Sequence, residues 1–327
     1  MEFMIETHDL AKTYKSADGK EVLAVRGIDL KVRKGEIFSL LGPNGAGKTT
    51  TISMISGLVK PTRGDAEIGG FSIIKQPLQA KRLMGVVPQE IALYNTLTGQ
   101  QNLEFFGKMY GMRGRTLKAR VDEMLDFVGL TDRQKDKVEN YSGGMKRRLN
   151  VGVGLLHKPE LIYMDEPTVG IDPQSRRRIL DTVKELRDER GMTVLYTTHL
   201  MEEAQELSDR VGIMDHGEII ALGTQDELIQ RVGEEDLLIL KVSAGAVDEK
   251  LPQQLKREVP GVTQVLVEQN EQDRVGQVKI SAKRGRRALP DVIRLAEAAG
   301  VEVQSVEIRE PDLEAVFLHL TGRALRD

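Results

Sequence analysis

The chain has 327 residues, enough for about two domains at roughly 100–200 residues each. Apolar residues make up 40% of it and charged residues 30%, which predicts packed cores, and a formal net charge of −3 excludes a general attraction to nucleic acid or anionic lipid. Cysteine is absent, which excludes disulfides, thiolate metal sites and cysteine nucleophiles.

The first residues, "MEFMIETHDL", carry acids and lack the basic-then-apolar order of a signal peptide. No apolar run approaches the roughly 18–20 residues needed to span a bilayer. A soluble protein is expected, one that reaches a membrane only through a partner. Over the first two-thirds, short apolar runs alternate with helical patterns, the order of an α/β fold with a largely parallel sheet. "EIFSLL" (36–41), "LIYM" (161–164) and "TVLYTT" (193–198) read as buried strands. In such sheets ligands sit at the carboxyl ends of the strands, so these three ends are expected to converge on one site. Between them, roughly 92–155, the pattern turns helical. After about Gly233 the order becomes β-α-β-β-α-β, a small ferredoxin-like domain, closed by a last helix with Asp312 as its N-cap. The expected domains are therefore 1–232 and 233–327.

"GPNGAGKT" (42–49) follows the first of these strands and precedes a helix. This is the phosphate-binding P-loop pattern in its required context. Its glycines let backbone N–H groups approach phosphate oxygens, and the helix N-terminus adds positive potential. Lys48 is placed to reach the β- and γ-phosphates, and the Thr49 hydroxyl to reach Mg²⁺. "LIYMDEP" supplies Asp165 at a strand end for Mg²⁺ and Glu166 beside it to accept a proton from the attacking water. Two adjacent acids there are also the pattern of a solvated turn, but the upstream P-loop favours the catalytic reading. His199 ends "TVLYTTH" and can hydrogen-bond a γ-phosphate oxygen or the water's carboxylate partner. Gln89, in "GVVPQE", follows a short apolar run and can contact metal or water through its amide.

Later comes "YSGGMKRRL" (141–149), a hydroxyl and two glycines before a basic, amphipathic segment, hence a second phosphate cradle in one chain. Taken in order, the P-loop, "YSGG", "LIYMDEP", "VGID" and the terminal histidine resemble the nucleotide-binding subunit of ABC transporters over about residues 1–230. The resemblance implies a P-loop ABC cassette: a mostly parallel sheet core, an antiparallel N-terminal β part and a helical subdomain. It further implies that Gly42, Pro43, Asn44, Gly45, Ala46, Gly47, Lys48, Thr49 and Thr50 hold ATP. Gln89 matches the Q-loop, contacting metal and water. Ser142, Gly143 and Gly144 match the signature motif, Asp172 the D-loop, His199 the switch histidine and Tyr14 the aromatic that stacks on adenine.

In this family two cassettes dimerise head to tail, so each signature motif contacts ATP held by the other P-loop. A homodimer, a separate integral membrane permease, and a position on the inner face of the plasma membrane follow from the resemblance. So do the cofactors ATP and Mg²⁺. Met145 stands where most signature motifs carry Gln, and a thioether cannot replace an amide's donor and acceptor. Met at this position, "GIDPQSRRR", "TTHLMEEAQELSDRV" and "EPDLEAVFLHLTGR" resemble the branch that exports drugs, antibiotics and other amphiphiles. The alternatives are an import ATPase, a non-hydrolysing nucleotide-dependent interaction module in view of Met145, and a soluble ABC-type ATPase acting on nucleic acid or ribosomes. The last usually carries two cassettes or a long insertion, and neither is visible. Three basic clusters, Lys146–Arg148, Arg176–Arg178 and Lys283–Arg287, read by default as solvated helix faces or a loop, with "KRRL" partly supporting the signature helix and "RGRR" in a loop of the tail. Aromatics at 4% and neighbouring acids speak against a nucleic-acid surface there.

Overall fold

The computed structural model describes residues 2–15, 19–232, 235–243, 251–270, 275–309 and 312–322. Its contacts divide the chain into two units between Ile220 and Ala221. The junction expected from the sequence, Gly233, lies outside the described residues.

The first unit opens with an antiparallel sheet. Strands β1 (Phe3–Lys15), β2 (Glu21–Ile28) and β3 (Lys31–Arg33) pair around β1, which also pairs with the later β5. β4 (Ile37–Leu41) starts the second sheet and runs into helix α1 (Lys48–Ile55). β5 (Arg63–Ile68) and β6 (Phe71–Ser72) complete the first sheet, and α2 (Pro77–Leu83) leads into β7 (Met84–Val87). Three longer helices follow: α3 (Gly99–Met109), α4 (Gly114–Phe127) and α5 (Gly143–Leu155). Then β8 (Leu161–Asp165), α6 (Pro173–Asp188), β9 (Thr193–Thr198), α7 (Met201–Leu207), β10 (Arg210–Asp215) and β11 (Glu218–Gly223) finish the second sheet.

That sheet has the order β11-β10-β4-β9-β8-β7, parallel from β10 through β7. Every residue of β4, β8 and β9 is buried, as expected of central strands covered on both faces, and this is why they read as unbroken apolar runs. Their carboxyl ends lie side by side, and the expected convergence is met. The helical segment has its own start signals and apolar stripe. Thr98 and Gln101 form a reciprocal capping box on α3. Leu117, Val121 and Met124 bury one face of α4 at helical spacing, in a core shared with Leu103 and Leu149.

The second unit contains α8 (Gln225–Val232), β12 (Glu235–Ser243), α9 (Leu251–Glu258), β13 (Val262–Asn270), β14 (Val275–Lys283), α10 (Gly285–Ala298), β15 (Val303–Arg309) and α11 (Leu313–Thr321). The sheet order is β13-β14-β12-β15 with antiparallel pairing throughout, the ferredoxin-like arrangement read from the element order. β12 is apolar on both faces because both are covered. Leu238, Leu240 and Val242 join α9 and α10 residues in one cluster, whereas Leu237 and Ile239 meet Leu318 of α11. Asp312 caps α11 as expected, its Oδ1 accepting from Ala315 N at 3.0 Å.

Two expectations need correction. Arg286 and Arg287 do not lie in a loop: α10 begins at Gly285, four residues before the Leu289–Pro290 start that a helix-leading proline suggests. Gly285 N donates to Asp236 Oδ2 at 2.6 Å, which supplies the early start with a partner from β12 and leaves Pro290 inside the helix. Nor is Lys146–Arg148 a solvated face. Arg147 is buried and Arg148 donates to Val128 O (2.6 Å) and Gly129 O (3.0 Å) beyond the end of α4.

Candidate active site

The loop from β4 to α1 arches over the end of the parallel sheet. Gly47 takes φ 105°, a left-handed conformation open to glycine, and a Cβ there would fall 2.7 Å from Ala24 O. Thr51 Oγ1 donates to Gly47 O at 2.9 Å and ties the loop to the first turn of α1. Beside the loop lies a cavity of about 450 Å³ lined by Tyr14, Ala24, Pro43, Asn44, Gly45, Gly47, Lys48, Thr49, Thr50, Gln89 and Glu166. Residues expected from four separated segments thus share one cavity. Tyr14 is 40% exposed at its wall, and Lys12 Nζ stands 5.1 Å from the centre of its ring.

At the cavity wall Lys48 and Glu166 join Asp165 in a compact charged group. Lys48, Asp165 and Glu166 are 4%, 6% and 5% exposed. Lys48 Nζ donates to Gly42 O (2.6 Å) and Pro43 O (3.1 Å) and pairs with Glu166 Oε1 at 3.1 Å. The other carboxylate oxygen, Glu166 Oε2, lies 3.2 Å from His199 Nδ1, where the ring N–H donates to it. Each buried charge therefore has a partner, as desolvation requires. Thr49 Oγ1 donates to Asp165 Oδ1 at 3.3 Å, which also accepts from Thr197 Oγ1 at 2.6 Å.

Glu166 has φ 42°, unusual for a residue with a side chain. Its N–H donates to Thr197 Oγ1 at 2.9 Å, so that one threonine holds both acids. Thr197 was not legible as a site residue. The only signal is the register of two strands, since Asp165 pairs with Thr197 where β8 and β9 end. A further buried group holds the histidine segment. Glu203 Oε2 accepts from Tyr196 and Thr198 hydroxyls, each at 2.9 Å, and Arg176 Nε pairs with Glu203 Oε1 at 2.8 Å. Burial, then the neighbouring Glu203, pushes the Tyr196 phenol well above its ordinary value, leaving it a neutral donor.

Ser142, Gly143, Gly144 and Asp172 do not line this cavity. They are brought to one another. Ser142 caps α5 by accepting from Met145 N at 3.2 Å, and Asp172 caps α6 by accepting from Ser175 N at 2.9 Å. That bond is the leading cause that lowers the Asp172 carboxyl below its usual range. The starts of the two helices touch at Gly144, where a Cβ would come closer than 3.0 Å to both Ser175 Oγ and Cβ. Met145 turns its thioether onto the apolar core of the helical segment.

Comparison with known proteins gives concordant matches. The profile of the family described as ABC transporter matches residues 25–169. The linearmycin resistance ATP-binding protein LnrL of Bacillus subtilis (strain 168) is 50% identical over 317 residues, covering 97% of this chain and 99% of the relative. The daunorubicin resistance ATP-binding protein DrrA3 of Streptomyces coeruleorubidus is 37% identical, with 96% and 97% covered. Among solved structures, the dimeric post-hydrolysis state of the ATP-binding cassette MJ0796 bound to ADP and Pi matches at TM-score 0.62 and 27% identity. It covers 68% of this chain and 98% of that one.

Proposed function

The chain belongs to the ABC transporter family as an ATP-hydrolysing, ATP-binding subunit of the drug-exporter type, and from this premise we propose that it pairs head to tail with a second copy and drives a separate membrane permease. The observation that carries the catalytic part is the Glu166 carboxylate, buried at the P-loop cavity between Lys48 and His199. A carboxylate held there accepts the proton of a water attacking the γ-phosphate in line.

Lys48 supplies fixed positive charge to the β- and γ-phosphates. His199 orients Glu166 through its Nδ1–H. Tyr14 offers its ring to the adenine, and the P-loop N–H groups from Asn44 to Thr50 hold the phosphates, with Gly42 and Pro43 shaping the loop. Thr49 Oγ1 and Asp165 Oδ1, 3.3 Å apart, are hard oxygens that fit Mg²⁺, and Gln89 at the same cavity supplies a third. When bound, the ion offsets charge on the phosphate oxygens.

The pairing is supported by the location of Ser142, Gly143 and Gly144, outside the cavity of their own chain. In the pair, the Ser142 hydroxyl and the α5 amides serve ATP held by the other copy, with Asp172 beside them. ADP lacks the γ-phosphate, so hydrolysis removes the contact that holds the pair closed. Among the described residues no helix is long and apolar enough to cross a membrane, so in this proposal the permease supplies the membrane passage. Export of antibiotics or similar amphiphiles follows from relatives named for linearmycin and daunorubicin resistance. The test is Glu166→Gln, assayed for phosphate release and for mass in solution with ATP. Turnover is expected to fall by a factor of about 10² or more while an ATP-bound dimer accumulates. Undiminished turnover would overturn the role of Glu166.

A further inference from the structure

Arg147 is 3% exposed, yet nothing in the reaction just described uses it. Its Nη1 donates to Pro88 O and its Nη2 to Gln89 O, both at 2.6 Å. Its Nε is buried without a hydrogen-bond partner among the described residues. A guanidinium taken out of water is expensive, and here two consecutive backbone carbonyls, rather than a close carboxylate, accept its N–H groups. The planar fork matches carbonyls of adjacent residues, a fit that the point charge of lysine does not have.

What the fork joins gives the arrangement its meaning. On one side is α5, whose first turn is capped by Ser142, five positions before Arg147. On the other is the loop after β7, whose Gln89 lines the P-loop cavity. The two have little slack. A Cβ on Gly85 of β7 would come closer than 3.0 Å to Gly154 O of α5, so helix and strand meet backbone to backbone. At the far end of α5, Arg120 of α4 donates to Leu155 O at 2.5 Å and Leu156 O at 2.9 Å. The helix is held along its length, and Arg147 extends that hold to Gln89.

We propose that Arg147 is a positioning residue that couples the two nucleotide sites, making Gln89 in its own cavity follow the displacement of α5 when Ser142 engages the other copy's ATP. This rests on the head-to-tail reading above. Arg147 does not line the P-loop cavity and acts through Gln89.

The experiment is a double-mutant cycle in the full chain reconstituted with its permease, reading kcat and KM for ATP in Arg147→Met, Gln89→Ala and the double variant. Arg147→Met is expected to lower kcat about 10- to 100-fold, the range found when a supporting residue is removed from a site, with KM within a few-fold of the parent. The double variant is expected to be no slower than Gln89→Ala alone, and Arg147→Lys to recover only part of kcat. A double variant as slow as the product of the two single losses would overturn the proposal, because Arg147 would then act independently of Gln89. Arg147→Met at parental kcat would overturn it too. If that variant does not fold, Arg147→Lys and Arg147→Gln enter the same cycle and are judged by the same criterion. Glu166→Gln tests hydrolysis separately, so failure of the coupling is distinguishable from failure of the catalytic assignment.

Discussion

Gly144 is the second residue of α5, and its replacement by alanine opposes two effects of known size. In an isolated helix the change is favourable by about 1 kcal/mol, because glycine has the more flexible unfolded chain. Here the new methyl would lie closer than 3.0 Å to both Ser175 Oγ and Cβ, whereas ordinary contact starts at 3.4 Å. The starts of α5 and α6 must therefore separate, by roughly 1 Å, at a cost of about 1–3 kcal/mol for overpacking. A displacement of that size at Ser142 is expected to cost about 10²-fold in ATP turnover, since phosphate contacts depend on placement. Ser175→Gly removes both obstructing atoms and keeps the N–H that donates to Asp172 Oδ1. The next neighbour of the methyl would be Asp172 Oδ2 at 3.5 Å, an ordinary contact. Thermal midpoints and ATPase rates of the two single variants and the double decide the matter. The double is expected to be more stable than the sum of single effects by about 1–3 kcal/mol and to regain most turnover. Strict additivity in both readouts would refute the steric argument.

Tyr14→Ala is expected to raise KM for ATP about 5- to 160-fold, the range for losing one base–aromatic stack of about 1–3 kcal/mol, and to leave kcat nearly unchanged. Steady-state kinetics across ATP concentrations check this, and an unchanged KM would remove Tyr14 from the nucleotide site. Met145→Gln is expected to bring no gain in ATPase rate and to lower the thermal midpoint, because the Met145 side chain packs against the helical core and only its backbone N–H meets Ser142. A large gain in rate would mean that an amide at this position makes an ATP contact that the natural chain lacks.

The parts of this protein legible in its sequence are those in which local chemistry and position coincide. Apolar runs ending in a glycine-rich loop, in Asp165 and in His199 declare the strands and the place where their ends meet, because a parallel sheet presents ligands there. The tail domain was legible for a similar reason: the strand and helix periods alternate in an order that few sheets satisfy. Arg147 was not. Its acceptors are backbone carbonyls 58 and 59 positions away, which carry no residue-type signal, so the basic cluster read as solvated. Thr197 was hidden because its hydroxyl matters only through the register of β8 on β9. The tail cluster read as a loop because Pro290 is a strong local cue for a later helix start, whereas Asp236, which receives the Gly285 N–H, lies on a distant strand.

The threonine bridge from Asp165 to Thr197 also bears on how the protein is made. Lys48 leaves the ribosome early, but the strand carrying Thr197 and the histidine that pairs with Glu166 come about 150 residues later. At roughly 5–20 residues per second that interval is about 8–30 s. Through it the nascent chain has a phosphate loop but no anchored acid and no histidine for Glu166. β9 must also insert between β4 and β8, a pairing of high sequence separation that forms late. In the proposed mechanism Glu166 therefore lacks its histidine partner, and Asp165 its anchor, until β9 has entered the sheet.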